Sequence, residues 1–230
     1  MSLLNIPMPR EQLERIVRQV VRQRYAEGLM AGEQQPAIAY EPNLVVNVSA
    51  RHMHICQADL AALFGPGAQL TVYRWLYQPG EFAAEQRVTI VGPRGRAIEN
   101  MRILGPTRKA SQVEISFTDA IALGVEARVR PSGIADGTHG CKIIGPNGEI
   151  DMSHGVIRAE RHVHMCPADA AAYGFQDGQY VRLRVNSDCA VTFEKVLCRV
   201  DPKFLLEVHL DTDEGNACNL VDATSVELLA

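Results

Sequence analysis

The 230-residue chain predicts a mainly β protein, with two small β-barrel domains, short capping α-helices, an internal repeat and a separate N-terminal amphipathic helix. Three observations carry that expectation. A tract in the first half recurs in the second. Short β-branched runs follow one another along the chain. Gly/Pro pairs punctuate those runs: Gly65-Pro66, Gly92-Pro93, Gly105-Pro106 and Gly145-Pro146. Many short strands at such spacing suit barrels or sandwiches rather than a parallel sheet alternating with helices.

The repeat is specific. Residues 51–62 read R-H-M-H-I-C-Q-A-D-L-A-A and residues 161–172 read R-H-V-H-M-C-P-A-D-A-A-A, identical at eight of twelve positions with a constant offset of 110. Two halves of one ancestral unit are the simplest account. An apolar run precedes each copy: Leu44, Val45, Val46 and Val48 before the first, Val156 and Ile157 before the second. Strand residues two apart point to one face, so His52 and His54 project together, as do His162 and His164. Asp59 and Asp169, each followed by alanines, are expected to N-cap short helices.

Paired imidazoles point to a metal. Neutral imidazole is the commonest metal-binding side chain near neutral pH, and two such rings on one face converge on one ion. A single H-x-H equally fits histidines hydrogen-bonded within a half-buried face. Its repetition favours metal, with zinc first and nickel, cobalt or iron as alternatives. Cys56 and Cys166, two positions past each pair, are expected to be buried small apolar residues rather than ligands.

Residues 8–27 stand apart. Leu13, Ile16, Val17, Val20, Val21 and Tyr25 form one apolar stripe at helical spacing, with Pro9 at the start and Gly28 at the stop. A targeting helix over 1–27, a linker over 28–40 and docking on a partner protein are expected. Strands are expected at 69–77, 87–92, 113–118, 127–130, 180–185, 190–200 and 204–210. The two barrels divide as 41–51 with 160–230, and 52–159.

Composition narrows the partners. A net charge of −4 gives no basic footprint for nucleic acid. No apolar run approaches 18 residues, so neither a spanning helix nor a membrane role is expected. The N-terminus carries no secretory pattern. Six cysteines without C-x-x-C spacing read as reduced thiols of the cytosol.

Further candidates lie outside the repeat. Arg108 follows a Gly-Pro turn in L-G-P-T-R-K-A-S-Q-V-E-I-S and reads either as a solvated surface residue or as a phosphate clamp. Glu114 alternates with Val113 and Ile115, as a third ligand or an exposed carboxylate. His209 sits in E-V-H-L, as a ligand or a core histidine. The glycine-rich segment P-S-G-I-A-D-G-T-H-G-C (131–141) reads as a loop able to approach a ligand closely. His139 and His154 have no assigned role.

Taken together, V-N-V-S-A-R-H-M-H-I, G-P-T-R-K-A-S-Q-V-E-I-S, G-C-K-I-I-G-P, A-E-R-H-V-H-M and L-E-V-H-L resemble the PduL-type phosphotransacylases, the phosphate propanoyltransferases of bacterial microcompartments. The resemblance runs over nearly all of residues 41–220. It implies two zinc ions in a fold of two β-barrels, with His52 and His54 holding one ion that keeps a position open for coenzyme A or phosphate. Glu114, His162, His164 and His209 would hold the second, and Arg108 would contact phosphate. It also implies propanoyl transfer between coenzyme A and phosphate by direct attack of phosphate on the thioester, in the lumen of a propanediol-degrading microcompartment. The N-terminal helix resembles an encapsulation peptide, which would bind shell or lumen proteins. A homo-oligomer is expected. The contrasting expectation is a binding or scaffold barrel whose zinc is only structural. A metallohydrolase is a weaker third, since zinc-bound water is also a nucleophile.

Overall fold

The computed structural model describes residues 40–230, and Glu41–Ala230 forms one compact unit. The expected N-terminal helix and most of the linker lie outside the described residues.

The elements run β1 (Val45–Ser49), β2 (His52–Cys56), α1 (Gln57–Phe64), β3 (Val72–Trp75), β4 (Phe82–Val91), β5 (Ala97–Arg108), β6 (Gln112–Glu114), α2 (Phe117–Leu123) and β7 (Arg128–Arg130). They continue with β8 (His139–Ile144), β9 (Glu149–Ala159), β10 (His162–Met165), α3 (Pro167–Tyr173), β11 (Tyr180–Asn186), β12 (Val191–Val200), β13 (Glu207–Asp211), α4 (Thr212–Ala217) and β14 (Ser225–Leu229). The protein is mainly β.

One sheet runs β3-β4-β5-β2-β6-β9-β7, and β8 pairs with both β4 and β9. That double pairing closes β4, β5, β2, β6, β9 and β8 into a six-stranded barrel. The other sheet, β1-β13-β10-β12-β11-β14, is a half-barrel. Thus β1 crosses over to pair in parallel with β13, while β2, three residues on, joins the barrel.

Period-two patterning builds both cores. In β11, Val181, Leu183 and Val185 are buried while Tyr180, Arg182 and Arg184 face water. The barrel core gathers Met53, Ile55, Leu60, Leu63, Ile90 and Ile103, and the half-barrel core gathers Val163, Met165, Leu183, Val196, Val208 and Leu210. Each such side chain stabilises by about 1.5–3 kcal/mol on full burial. Met53 and Ile55 therefore anchor β2 and fix the opposite facing of His52 and His54.

Several expectations give way. Asp59 and Asp169 are not N-caps; Cys56 and Cys166 occupy those positions, and each aspartate stands three residues further in. From there the Asp169 carboxylate accepts from the Cys166 backbone N–H at 2.9 Å, while Asp59 accepts from Ser111 Oγ, which itself accepts from the Cys56 N–H. Both cysteines are partly buried rather than buried. Arg108 is not on a loop; it ends the twelve-residue strand β5, which runs through Gly105-Pro106. A Cβ at Gly105 would meet the Phe82 ring at 2.2 Å, so this glycine serves packing. The close approach at Gly140 is likewise to protein, because a Cβ there would lie 1.7 Å from the Met152 carbonyl oxygen across the β8–β9 pair.

Candidate functional site

Each histidine pair receives its third partner from the strand beside it. In the barrel, β2 pairs antiparallel with β6 and sets His52 opposite Glu114. In the half-barrel, β10 pairs antiparallel with β13 and sets His162 opposite His209. Directly opposed residues lie on one face of a sheet. His52, His54 and Glu114 therefore converge, as do His162, His164 and His209; within each group the ligating atoms all lie within 4.8 Å of one another.

The two groups are copies of one design. Glu114 and His209 each stand two residues before a helix N-cap, Ser116 and Asp211. Ser116 accepts from the Asp119 N–H at 3.2 Å, and Asp211 and Glu214 form a reciprocal capping box. Arg51 then binds Asp119 at 2.6 Å, as Arg161 binds Glu214 at 2.5 Å. The repeat thus extends beyond the matched twelve residues, with glutamate in one copy where the other has histidine.

The ring nitrogens suit a cation. His52 Nδ1 donates to the Ala50 carbonyl and His162 Nδ1 to the Glu160 carbonyl, both at 2.8 Å. A carbonyl only accepts, so both rings carry hydrogen at Nδ1 and present a lone pair at Nε2. His52 Nε2 and His54 Nε2 lie 3.2 Å apart, and Glu114 carboxylate oxygens lie 3.6 and 3.5 Å from them. His54 Nδ1, both ring nitrogens of His164 and His209 Nε2 are buried without a hydrogen-bond partner. Such orphaned atoms are rare in folded proteins and are expected where an ion belongs. Glu207 Oε2 lies 3.1 Å from His209 Nε2 but off the hydrogen-bond direction.

Electrostatics agree with that geometry. Burial, with the neighbouring rings, pushes His54 and His162 down to about 4 and His164 down to about 2. At neutral pH these three imidazoles are therefore neutral and available as ligands. Burial acts to raise Glu114, but His52, His54 and the Ser132 hydroxyl outweigh it and hold the carboxyl well below its usual range. Gln112 Nε2 and Ser132 Oγ both donate to Glu114 Oε1 at 2.6 Å, which fixes the carboxylate's direction. A buried carboxylate between imidazoles is a fitting seat for a divalent cation.

Arg108 belongs to the same neighbourhood. Its guanidinium donates to Ser132 Oγ at 3.1 Å and lies 3.7 Å from Glu81. Burial lowers its pKa while Glu114 and Glu81 counteract. The resemblance assigns Glu114 to the second histidine group, whereas β2–β6 pairing places it with the first. Glu114 also lines a cavity of about 20 Å³ with His162 and His209, room for one water or ion. A larger cleft of about 610 Å³ reaches both groups through Ser49, His52 and His209, with Arg74, Trp75 and Arg102 on its walls. His139 and His154 belong to neither group: the first bonds the Glu126 carbonyl and the second the Ser153 hydroxyl, both exposed.

Sequence reasoning missed the supporting residues. Gln78 Nε2 donates to Glu207 Oε2 and Asn47 Nδ2 to Glu207 Oε1, both at 2.6 Å, tying the cleft wall to β13. The available signal was polarity within the quoted motifs, which hold Gln112 and Ser111; Ser132 lies in the segment read as a glycine loop.

Comparison with known proteins gives a consistent result. A family model described as phosphate propanoyltransferase matches residues 45–221. A phosphate propanoyltransferase of Planctopirus limnophila is 48% identical over 222 residues, covering 96% of this chain and 91% of its own. One from Thermotoga maritima is 54% identical over 181 residues (78% and 86%), and one from Rhodopseudomonas palustris is 41% identical over 211 residues (91% and 93%).

Proposed function

The chain belongs to the phosphate propanoyltransferase family and is an acyltransferase, and from that premise we propose that it exchanges propanoyl groups between coenzyme A and phosphate at a site built from both histidine groups. The observation that carries this reading is the pair of three-residue groups, buried but for the partly buried His209, with ring nitrogens lacking partners, beside Arg108.

His52, His54 and Glu114 would hold one zinc ion, and His162, His164 and His209 a second. Three protein ligands leave a tetrahedral position open, which supports catalysis over a structural site. When bound, such ions supply Lewis acidity to the thioester carbonyl and favour the thiolate form of the departing coenzyme A.

The chain's own groups perform the rest. Arg108, steadied by Ser132, presents planar donors that match two phosphate oxygens. A phosphate oxygen held there attacks the carbonyl carbon; the C–O bond forms, the C–S bond breaks and coenzyme A leaves with the electron pair. No acyl-enzyme is required. The backbone carbonyls of Ala50 and Glu160 keep His52 and His162 in one tautomer throughout. The cysteines take no part: burial pushes the Cys141 thiol up to about 12 and Cys198 up to about 11, and none joins either group.

The test is thiol release from propanoyl-CoA by zinc-loaded protein. Release should require phosphate and match acyl phosphate formed. In Arg108→Ala the phosphate KM should rise by roughly tenfold or more, as loss of a charged hydrogen bond implies. Phosphate-independent release would instead indicate a hydrolase, and none from folded, loaded protein would overturn the reading.

A further inference from the structure

Six carboxylates are buried among the described residues: Glu114, Asp119, Asp169, Glu207, Asp211 and Glu214. Burying an anion is costly unless a cation or several donors answer it. Asp119, Asp211 and Glu214 pair with Arg51, Arg158 and Arg161, and Asp169 caps α3 through the Cys166 N–H. The other two lie against histidines, Glu114 beside His52 and His54, and Glu207 beside His209. Glu114 belongs to the first cation site, whereas Glu207 belongs to neither three-residue group.

Register treats the two copies alike. Pairing of β2 with β6 puts Gln112 opposite His54, and pairing of β10 with β13 puts Glu207 opposite His164. Gln112 and Glu207 are therefore pseudo-equivalent, each two residues before the third member of its group and on the same face as the histidines. Gln112 and Glu114 in one copy answer to Glu207 and His209 in the other. Each histidine face thus carries one carboxylate, the half-barrel two residues earlier than the barrel.

Glu207 is held in place. Asn47 Nδ2 donates to its Oε1 and Gln78 Nε2 to its Oε2, both at 2.6 Å. The Gln78 amide is itself fixed by the Leu205 backbone, donating to the carbonyl at 2.9 Å and accepting from the N–H at 3.1 Å. Both carboxylate oxygens accept, as suits an ionised group. His209 is oriented too: Ser49 Oγ lies 3.1 Å from Nδ1, and Nε2 has no hydrogen-bond partner. Glu207 Oε2 stands 3.1 Å from that Nε2 but off the hydrogen-bond direction, so it flanks the lone pair without closing it. Histidines bind a metal as neutral groups, so His162, His164 and His209 offer a dication no negative charge.

We propose that Glu207 is the positioning residue of the second cation site: it supplies the negative charge that the three imidazoles lack and steadies the His209 ring from the side. This inference rests on the two-site reading above.

Titration of metal-free, full-length protein with zinc(II) against a chromophoric chelator tests it, with Glu207→Gln made in His54→Ala and in His164→Ala so that one site is read at a time. In His54→Ala, which keeps the second site, Glu207→Gln should weaken zinc binding roughly tenfold to a hundredfold, the usual cost of losing a group that supports a ligating histidine. In His164→Ala, which keeps the first, the change should stay within about twofold. Glu207→Asp, which keeps the charge, should recover part of the loss. Unchanged affinity in His54→Ala, an equal loss in both backgrounds, or no recovery by Glu207→Asp would each overturn the proposal. A wild type that takes up no second zinc refutes the two-site reading and this proposal with it. Two zinc ions in wild type, with the second indifferent to Glu207→Gln, refute this proposal alone.

Discussion

At the scale of single residues, the site is a set of groups held in forms they would not choose in water. Three imidazoles are kept neutral by burial, and one carboxylate is kept ionised against burial. This has a pH consequence for the metal-free protein. In the unfolded chain each histidine titrates near 6.5, whereas folded His54 and His162 titrate at about 4 and His164 at about 2. Below pH 6.5 the unfolded state therefore binds protons that the folded state refuses. Stability is fully present above about pH 6.5 and falls as pH drops towards about 4. The lowered Glu114 carboxyl pushes the same way at still lower pH. Denaturant midpoints of zinc-free protein should decline between pH 7 and pH 5, and a flat profile would contradict the assignment of buried neutral rings. The histidine pairs were legible in sequence because strand periodicity is local. Gln78 was not, since it lies outside every quoted motif and its bond to Glu207 spans 129 positions of sequence.

At the scale of elements, register does what spacing cannot. Glu114 and His209 are pseudo-equivalent at an offset of 95, while the H-x-H pairs repeat at 110, so no single sequence period exposes the third members. Their partnership appears only once β6 lies against β2 and β13 against β10. The strands with β-branched alternation were foreseeable; β5 was not, because Gly105-Pro106 reads as a turn until packing against Phe82 is known. The 131–141 segment misled for the same reason: its end forms β8, and Gly140 makes room for β9. Between the sheets, Arg158 of β9 reaches Asp211 at 2.6 Å and also pairs with Glu214, both members of the capping box that starts α4. Arg158→Ala would leave the buried Asp211 carboxylate without a cation and Glu214 with Arg161 alone. Removing one partner of a buried pair costs about 3–5 kcal/mol. Thermal denaturation should then fall by roughly 10 °C, and a shift below about 2 °C would show that the bridge is dispensable.

At the scale of the whole molecule, a barrel and a half-barrel each bring one face of histidines towards the other. The crossover of β1 into the half-barrel matters here, because Ser49 at its end accompanies His209 at 3.1 Å while β2 delivers His52 to the barrel. The repeat foretold two units of similar build; it did not foretell that one sheet closes and the other stays open. Closure depends on β8 pairing at both edges, a tertiary event with no local signature. The central claim is that the duplication yields two distinct cation sites, each with three protein ligands. Calorimetric titration of metal-free protein with zinc(II) tests this most directly. Two equivalents per chain are expected in wild type, falling to one in His54→Ala and to one in His164→Ala. A single equivalent in wild type, or two retained in both variants, would contradict it.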